Sequence, residues 1–160
     1  MTNKLQEINP SDLLVETNKR QFHLLHKDAI MPVRKTKGSA GYDLHSIEEV
    51  RILPNETKAI PTGIGVTMNE GDVGFLALRS SIGLNRGLCC PIGFGIIDSD
   101  FEPPNTMAVI VTNTKNIPVT INVGERIAQF VFSGYNNTHN DEIPNTIRTS
   151  GIGSTNKNTK

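Results

Sequence analysis

The sequence of 160 residues predicts one all-β domain of the sandwich or barrel type. Short runs rich in Val, Ile and Thr recur roughly every 8 to 12 residues, the spacing typical of strands in such folds. Clusters containing Gly, Pro or Asn separate these runs, and no long stretch shows the helical period of about 3.6 residues. A chain of this length can bury a stabilising core without disulfide bonds or a structural metal.

Eight apolar runs contain the predicted strands: FHLL from residue 22, VRILP from 50, KAIPTGIGVTM from 58, VGFLALRS from 73, LCCPIGFGII from 88, TMAVIVTNT from 106, PVTINV from 118 and RIAQFVFSGY from 126. Turn signals follow at 54–56, 69–72, 85–87 and 103–105, where Pro, Gly and Asn favour chain reversal. Before the first run, Ser11 or Asp12 could cap a short helix.

Composition divides the chain into three segments. Residues 1–20 form a predicted N-terminal extension, residues 21–135 the β domain, and residues 136–160 a C-terminal arm. The arm consists mainly of Asn, Thr, Ser, Gly and Lys, so it offers too little apolar surface to offset the entropy lost on ordering. We therefore expect the arm, taken alone, to be mobile.

The charge balance and the cysteines narrow the function classes. Sixteen Lys and Arg balance sixteen Asp and Glu, so no general basic field favours nucleic acid or an anionic membrane as partner. A small molecule is the expected ligand. Cys89 and Cys90 are adjacent, which suits neither a disulfide framework nor a CxxC metal site and favours a reducing compartment. No signal-peptide core or run of about eighteen apolar residues is found, which predicts a cytoplasmic or nuclear location.

Five motifs carry chemistry suited to a nucleoside triphosphate: AGYDL at 40–44, RSSIG at 79–83, GIIDSDF at 95–101, VGERIAQ at 123–129 and GIGST at 151–155. Arg79, Ser80 and Ser81 combine a guanidinium, two hydroxyls and backbone N–H groups, all of which suit phosphate oxygens. Gln129 can donate to a phosphate oxygen or pair with a neighbouring strand.

The remaining motifs suit a metal-bound polyphosphate. Asp43 can accept hydrogen bonds from waters of a Mg²⁺ that the triphosphate carries, because Mg²⁺ retains several of its waters. In the tail, Arg148 supplies a counter-charge, and small residues let the backbone approach the phosphates closely. Taken singly, these motifs are more often a turn, a solvated loop or a flexible linker than a binding site.

Together and in this order, the five motifs resemble the trimeric dUTPase family over residues 22–155. The resemblance implies a jelly-roll-like subunit of the β-clip type that forms a homotrimer with three active sites at the subunit junctions. In such a trimer, one chain supplies the phosphate-binding motifs, a second supplies a nucleoside-binding hairpin, and the third supplies its arm. The arm is then expected to close over the ligand in a neighbour's site and to exclude water.

The resemblance also implies a reaction, the hydrolysis of dUTP to dUMP and pyrophosphate, which keeps uracil out of DNA and supplies dUMP for thymidylate synthesis. Asp98 is the implied base that activates a water for attack on the α-phosphorus. Phe101, where the family usually has Tyr, is expected to pack beneath the deoxyribose and exclude a ribose. The implied substrate contacts and metal contact are Arg79, Ser80, Ser81, Gly93, Gly95, Ile97, Phe101, Gln129, Arg148, Ile152, Gly153 and Ser154 for dUTP, with Asp43 for Mg²⁺ through water.

Three features depart from the family pattern and keep alternatives open. The turn EPPNT at 102–106 is longer than usual, position 92 is Ile where some members have Asn, and Ile152 replaces an arm Phe that stacks on uracil. A nucleotide-binding or regulatory module with weakened hydrolysis is therefore the alternative function. A dCTP-deaminating relative and a structural jelly-roll protein without a nucleotide site are two others.

Overall fold

A computed structural model describes residues 18–142 and Arg148. Within these residues there are eleven strands and one helix: β1 (Gln21–Leu24), β2 (Tyr42–His45), β3 (Val50–Ile52), β4 (Thr57–Pro61), β5 (Ile64–Thr67), β6 (Asp72–Leu78), α1 (Ser80–Arg86), β7 (Leu88–Cys89), β8 (Gly95–Asp98), β9 (Ala108–Asn113), β10 (Val119–Ile121) and β11 (Arg126–Gly134). The predicted all-β, jelly-roll-like class is confirmed. The described part contains no helix long and apolar enough to cross a membrane.

The strands form four small antiparallel sheets. The largest has the order β2-β11-β6-β8, and a three-stranded sheet has the order β4-β9-β7. Two-stranded pairs join β1 to β5 and β3 to β10. Strand β11 is the longest, with nine residues, and pairs along both edges, so it organises the largest sheet.

The core follows from the alternating burial of these strands. In β9 the residues Val109, Val111 and Asn113 are buried while their neighbours are half-buried, as a period of two residues requires. Phe130 in β11 is fully buried against Gly74 in β6, where an added Cβ would lie 2.0 Å from the ring. Only glycine fits at position 74, since the ring occupies the space of a side chain.

The start of the described chain is held by aromatic packing and one ion pair. The Phe22 ring in β1 lies 5.5 Å from those of Phe130 and Phe132, measured between centroids. Just before it, the Arg20 guanidinium donates to both oxygens of Asp72, at 2.8 and 2.6 Å. These contacts fasten β1 to the largest sheet, because Asp72 begins β6.

Two elements were not predicted, strand β2 and helix α1. Strand β2 has only four residues, two of them the polar Asp43 and His45, and is defined by its pairing with β11 rather than by apolar alternation. Helix α1 has seven residues, too few to show a helical period. Its end lies in the predicted turn at 85–87, where Gly87 adopts the left-handed conformation with φ 64°.

Two long apolar runs each contain two strands instead of one. The run from residue 58 divides into β4 and β5 around Thr62 and Gly63, and Gly63 has a positive φ of 63°. The run from residue 88 divides into β7 and β8. The helix predicted after Ser11 or Asp12 lies outside the described residues.

The expected hairpin between β8 and β9 has a different form. Strand β8 pairs with β6, whereas β9 pairs with β4 and β7, so the connection crosses between two sheets. We call residues 99–107 the β8–β9 loop. One tight turn spans Asp98 to Phe101 and a second spans Glu102 to Asn105, with N–H to carbonyl distances of 3.0 and 3.2 Å. The prolines of EPPNT therefore occupy the central positions of a turn, where no ladder hydrogen bond is lost.

Candidate active site

Three motifs that are far apart in sequence meet in one open groove of about 460 Å³. Asp43 of β2 and Gln129 of β11 are register partners, so their side chains share a face of the largest sheet. The residues that line the groove are Lys35, Ser39, Ala40, Gly41, Asp43, Arg79, Ser80, Gln129 and Val131. We call this the phosphate groove, after the phosphate binding that the sequence motifs predict.

The junction of β6 and α1 delivers Arg79 and Ser80 to the phosphate groove. Arg79 has extended backbone angles, φ −69° and ψ 142°, and its N–H donates to the carbonyl of Ile127 at 3.1 Å. The chain thus leaves the sheet at Arg79 and turns at once into the helix. Ser80 lines the groove, whereas Ser81 is half-buried in the first turn and Ile82 anchors the helix in the core.

Asp43 is the electrostatic centre of the groove. It is 7% exposed, and its Oδ1 lies 3.2 Å from Nε of Arg79 while its Oδ2 lies 3.0 Å from Nη1 of Arg126. A bulge in the pairing of β11 with β2, between Arg126 and Ala128, accompanies this arrangement. The two guanidiniums compensate the buried carboxylate, and the carboxylate in turn fixes Arg79 in place.

Sequence reasoning missed Arg126 and Gly41 as site residues. Arg126 pairs with a residue 83 positions away, which no local pattern reveals. At Gly41, an added Cβ would lie 2.5 Å from Oε1 of Gln129, so glycine is needed where the Gln129 side chain crosses the strand. Gly41 belongs to the motif AGYDL and Arg126 to the motif VGERIAQ. Their place within these motifs was the only signal in the sequence for either residue.

His45 lies on the same strand, two residues after Asp43. Burial lowers its pKa; Asp43 opposes this shift, whereas Arg126, Lys35 and Arg79 add to it. The imidazole is therefore neutral near pH 7, and its buried Nδ1 has no hydrogen-bond partner among the described residues. The groove consequently gains no further positive charge from His45.

The acidic end of β8 is a separate region. The side chains of Asp98 and Asp100 are 52% and 56% exposed. Arg148 from the arm contacts both of them, with Nε donating to Oδ1 of Asp100 at 2.8 Å and Nη2 donating to Asp98. The Arg148 guanidinium thus shields two carboxylates that would otherwise repel each other.

In a single chain this region does not reach the phosphate groove. Strands β2 and β8 are the outer strands of the four-stranded sheet, which separates them by three strand spacings, about 14 Å. The two regions are also offset along β6. Asp98 pairs with Val73 and Gln129 pairs with Ala77, and these two β6 residues are about 13 Å apart. Asp98 and Asp43 nevertheless project from the same face of the sheet. The β6 residues with which they align, Val73 and Ala77, are an even number of residues apart.

The dUTPase family model matches residues 27–157, which is most of the chain. The chain belongs to the dUTPase family. This match includes the phosphate groove, the β8–β9 loop and the last motif. The resemblance drawn from the five motifs is confirmed.

Named dUTPases from bacteria are similar in sequence. The deoxyuridine 5'-triphosphate nucleotidohydrolase of Haemophilus influenzae is 40% identical over 105 residues, which cover 64% of this chain and 68% of that protein. The enzyme of the same name from Lactococcus lactis is 38% identical over 130 residues, covering 78% of this chain and 87% of its own. The similarity to the second of these extends over most of both chains.

Solved dUTPases are similar in structure. A crystal structure of dUTPase from Streptococcus mutans has a TM-score of 0.69 at 31% identity, covering 74% of this chain and 98% of its own. A mutant dUTPase from phage phi11 of Staphylococcus aureus, described with a structural Mg(II) ion, has a TM-score of 0.71 at 26% identity, covering 79% and 97%. A mutant of the staphylococcal phage 80alpha dUTPase with dUpNHpp has a TM-score of 0.71 at 26% identity, covering 85% and 94%.

The remaining predicted dUTPase site residues lie around β8. Gly93 has a positive φ of 78°, which L side chains rarely adopt, and an added Cβ at Gly95 would lie 3.3 Å from Cβ of Leu76. Ile97 is half-buried and packs on the core. Phe101 is 7% exposed and belongs to the core cluster, so little of its ring faces solvent in the single chain.

Part of the predicted arm lies beyond the described structure. Arg148 is described, whereas Ile152, Gly153 and Ser154 lie outside the described residues. Among residues 18–142 and 148, no three His, Cys, Asp or Glu side chains come together in a group that could hold a metal ion. A Mg²⁺ in a dUTPase site of this composition would take most of its ligands from phosphate and water.

Proposed function

We propose that this chain is a dUTP diphosphatase that hydrolyses dUTP to dUMP and pyrophosphate. The observation that carries the proposal is the phosphate groove, in which three of the five family motifs converge on Asp43, Arg79 and Gln129. Its relatives, named deoxyuridine 5'-triphosphate nucleotidohydrolases, support the same reaction. Hydrolysis of dUTP keeps uracil out of DNA and supplies dUMP for thymidylate synthesis.

The phosphate groove binds the triphosphate of the substrate. Arg79 retains guanidinium N–H groups beyond the one directed at Asp43, and it has 27% of its side chain exposed. Ser80 adds a hydroxyl and Gln129 an amide N–H group, both from the lining of the groove. Because Asp43 already orients Arg79, little side-chain entropy is lost when phosphate arrives. Ser81, half-buried behind Ser80, supports the first turn of α1.

Magnesium fits this donor set as a companion of the substrate. Asp43 is the only carboxylate lining the described groove. A carboxylate has about four lone-pair sites, and the two guanidiniums leave some of these free to accept from metal-bound water. When bound, Mg²⁺ would neutralise phosphate charge and orient the phosphate chain. Asp43 thus acts from outside the metal's own ligand shell.

We further propose that the complete site forms between chains of a homotrimer. The single chain separates Asp98 from the phosphate groove, although both occupy one face of the largest sheet. That face also carries apolar side chains around β8. The Phe94 ring packs 5.5 Å from Phe75 and is 49% exposed, and Ile96 is 61% exposed. A neighbouring copy that covered these side chains would lie next to Asp98, and we propose that its groove completes the site there.

Asp98 then acts as the general base of the reaction. Its exposed carboxylate accepts a proton from the attacking water, while the water oxygen forms the new bond to the α-phosphorus. The bond from the α-phosphorus to the bridging oxygen breaks, and pyrophosphate leaves. Arg148 already lies at Asp98, and it is proposed to move to the phosphates when they arrive, because they carry more charge than the two carboxylates.

The nucleoside is proposed to bind beside β8. Backbone groups near Gly93, Gly95 and Ile97 read the uracil, and Phe101 selects the sugar. The positive φ of Gly93 and the close packing of Gly95 explain why glycine occurs at these two positions. The contacts of Ile152, Gly153 and Ser154 and the cytoplasmic or nuclear location stay predictions.

A hydrolysis assay tests the proposal. Pyrophosphate release is measured with Mg²⁺ and dUTP, dCTP, dTTP or UTP, and solution mass is measured by light scattering. We expect turnover of dUTP alone at a substantial rate, and a mass about three times the 17.5 kDa of one chain. Ammonia release from dCTP would indicate the deaminase instead. Tight binding of dUpNHpp without turnover would indicate a binding module.

A further inference from the structure

Lys35 is a cation of the phosphate groove that the family motifs do not include. It precedes AGYDL by five positions and lines the groove together with Asp43 and Gln129. Its side chain is exposed. In the described part of the chain, no carboxylate lies close enough to form an ion pair with Lys35. It therefore differs from Arg79 and Arg126, which share Asp43.

The loop before β2 is built so that Lys35 faces the groove. At its base, the N–H of Asp43 donates to the carbonyl of Val33 at 3.0 Å. At its tip, the N–H of Ser39 donates to the carbonyl of Thr36 at 3.2 Å, and their hydroxyls lie 2.8 Å apart. The first bond closes residues 33–43 into a loop and the second tightens residues 36–39 within it, so the backbone of Lys35 is fixed beside the groove.

The two neighbouring basic residues of this loop have other roles. Arg34 packs over the Tyr42 ring at 5.8 Å and donates to the carbonyl of Ser39 at 3.2 Å, so it serves the fold of the loop. Lys37 is exposed and does not line the groove. Lys35 alone in this loop combines a place in the groove with an unpaired charge, in the described part of the chain.

Lys35 adds to the net positive charge around Asp43. Arg79 and Arg126 are opposed by one carboxylate, Asp43, which leaves one positive charge in excess. Lys35 raises the excess to two. A triphosphate that carries its Mg²⁺ keeps a net negative charge, so each excess positive charge of the groove attracts it.

We propose that Lys35 is a further substrate-binding residue, whose ammonium contacts the β- and γ-phosphates of the nucleotide in the phosphate groove. The inference rests on the proposed function and specifies it. An ammonium on a flexible stem suits these phosphates, because it can follow their charge without the fixed geometry of a guanidinium fork. Its contact exists before and during reaction alike, so it strengthens binding without changing the chemical step.

The test compares Lys35→Gln with Lys37→Gln as a matched control and with Lys35→Arg, which keeps the charge. Kd for dUpNHpp and for dUMP is measured by calorimetry, and KM and kcat for dUTP by pyrophosphate release. For Lys35→Gln we expect Kd of dUpNHpp and KM of dUTP to rise about 5- to 10-fold, with kcat and the Kd of dUMP within about twofold of wild type. Lys35→Arg and Lys37→Gln should match wild type within about twofold.

The outcomes separate the inference from the function on which it rests. If wild-type protein hydrolyses dUTP and Lys35→Gln binds dUpNHpp as tightly as Lys37→Gln does, Lys35 is not a phosphate ligand. If Lys35→Gln raised the Kd of dUMP as much as the Kd of dUpNHpp, the assignment would also be overturned, because the contact would then lie away from the β- and γ-phosphates. If wild-type protein neither hydrolyses dUTP nor binds dUpNHpp, the proposed function itself is wrong, and the role of Lys35 is lost with it.

Discussion

The phosphate groove and the acidic end of β8 differ in how far one chain completes them. In the groove, Asp43 is buried and paired with two guanidiniums. The Gln129 side chain passes over Gly41, where any side chain would clash with it. At the end of β8, Asp98 and Asp100 are more than half exposed, and Arg148 is their only ion-pair partner among the described residues. Folding of one chain therefore fixes the side chains of the groove, whereas the carboxylates of Asp98 and Asp100 remain accessible to a ligand.

This difference fits the proposed roles of the two regions, phosphate binding in the groove and proton abstraction at Asp98. Phosphate binding benefits from donors fixed in advance, because their entropy is lost during folding rather than during binding. A general base must instead reach water and release its proton afterwards, which requires access to solvent between turnovers. Arg148 takes part in both regions of this proposal, since it pairs with Asp98 and Asp100 and its guanidinium also suits phosphate.

The largest effect on turnover is expected from Asp98→Asn. Loss of a general base typically lowers turnover about 10² to 10⁴-fold, while dUpNHpp should still bind. Asp100→Asn is the matched control, because Asp100 has a similar exposure and the same Arg148 partner. Single-turnover hydrolysis compares the two. Equal losses in both variants would mean that the pair acts only as a charge for Arg148.

The next largest effect is expected from Arg148→Ala. Losing this guanidinium should lower turnover on the order of 10²-fold, since phosphate positioning is lost. Thermal unfolding should change little, because both ion pairs of Arg148 are with carboxylates that are more than half exposed. Truncation before Arg148 should give the same pattern. If truncated protein retained full activity, the arm would have no role in the reaction.

A smaller effect is expected at Phe101, where packing and sugar selection overlap. Because Phe101 is buried, Phe101→Ala should destabilise the fold by about 3 to 5 kcal/mol, so Phe101→Leu is the better probe. If the ring excludes a ribose, Phe101→Leu should narrow the dUTP to UTP ratio of kcat/KM about tenfold. An unchanged ratio would assign Phe101 to the core alone. Phe101→Tyr should preserve the wild-type ratio.

No effect on turnover is expected from Asp72→Asn, although Asp72, like Asp43, is a buried carboxylate paired with arginine. Its hydrogen bond from Arg20 holds its pKa below the ordinary value, so the stability it contributes is present at pH 7 and is lost as the pH falls through the folded-state pKa. Asp72→Asn should cost about 1 to 3 kcal/mol at pH 7. The difference in Tm between wild type and Asp72→Asn should shrink below about pH 4. An equal deficit at pH 3 and 7 would contradict this account.

The sequence predicted the strands that are runs rich in Val, Ile and Thr and missed the elements that long-range pairing creates. The run AVIVTN indicated β9 directly, but β2 contains Asp43 and His45 and exists because β11 pairs with it. For the site, residue types in motifs identified Arg79, Gln129 and Asp98 as candidates. Their separation into two regions depends on strand order, which local patterns do not encode. Arg126 and Lys35 became visible only through their place around Asp43.

Subunit complementation tests most directly the central claim that groove and base come from different chains. Asp98→Asn and Arg79→Ala chains with different tags are co-expressed, and mixed trimers are purified through both tags. Each variant alone should be nearly inactive. If sites are shared, mixed trimers should recover about one third of wild-type dUTP turnover, because one of the three junctions in each mixed trimer combines an intact groove with an intact Asp98. If mixed trimers are no more active than the single variants, groove and base must come from the same chain.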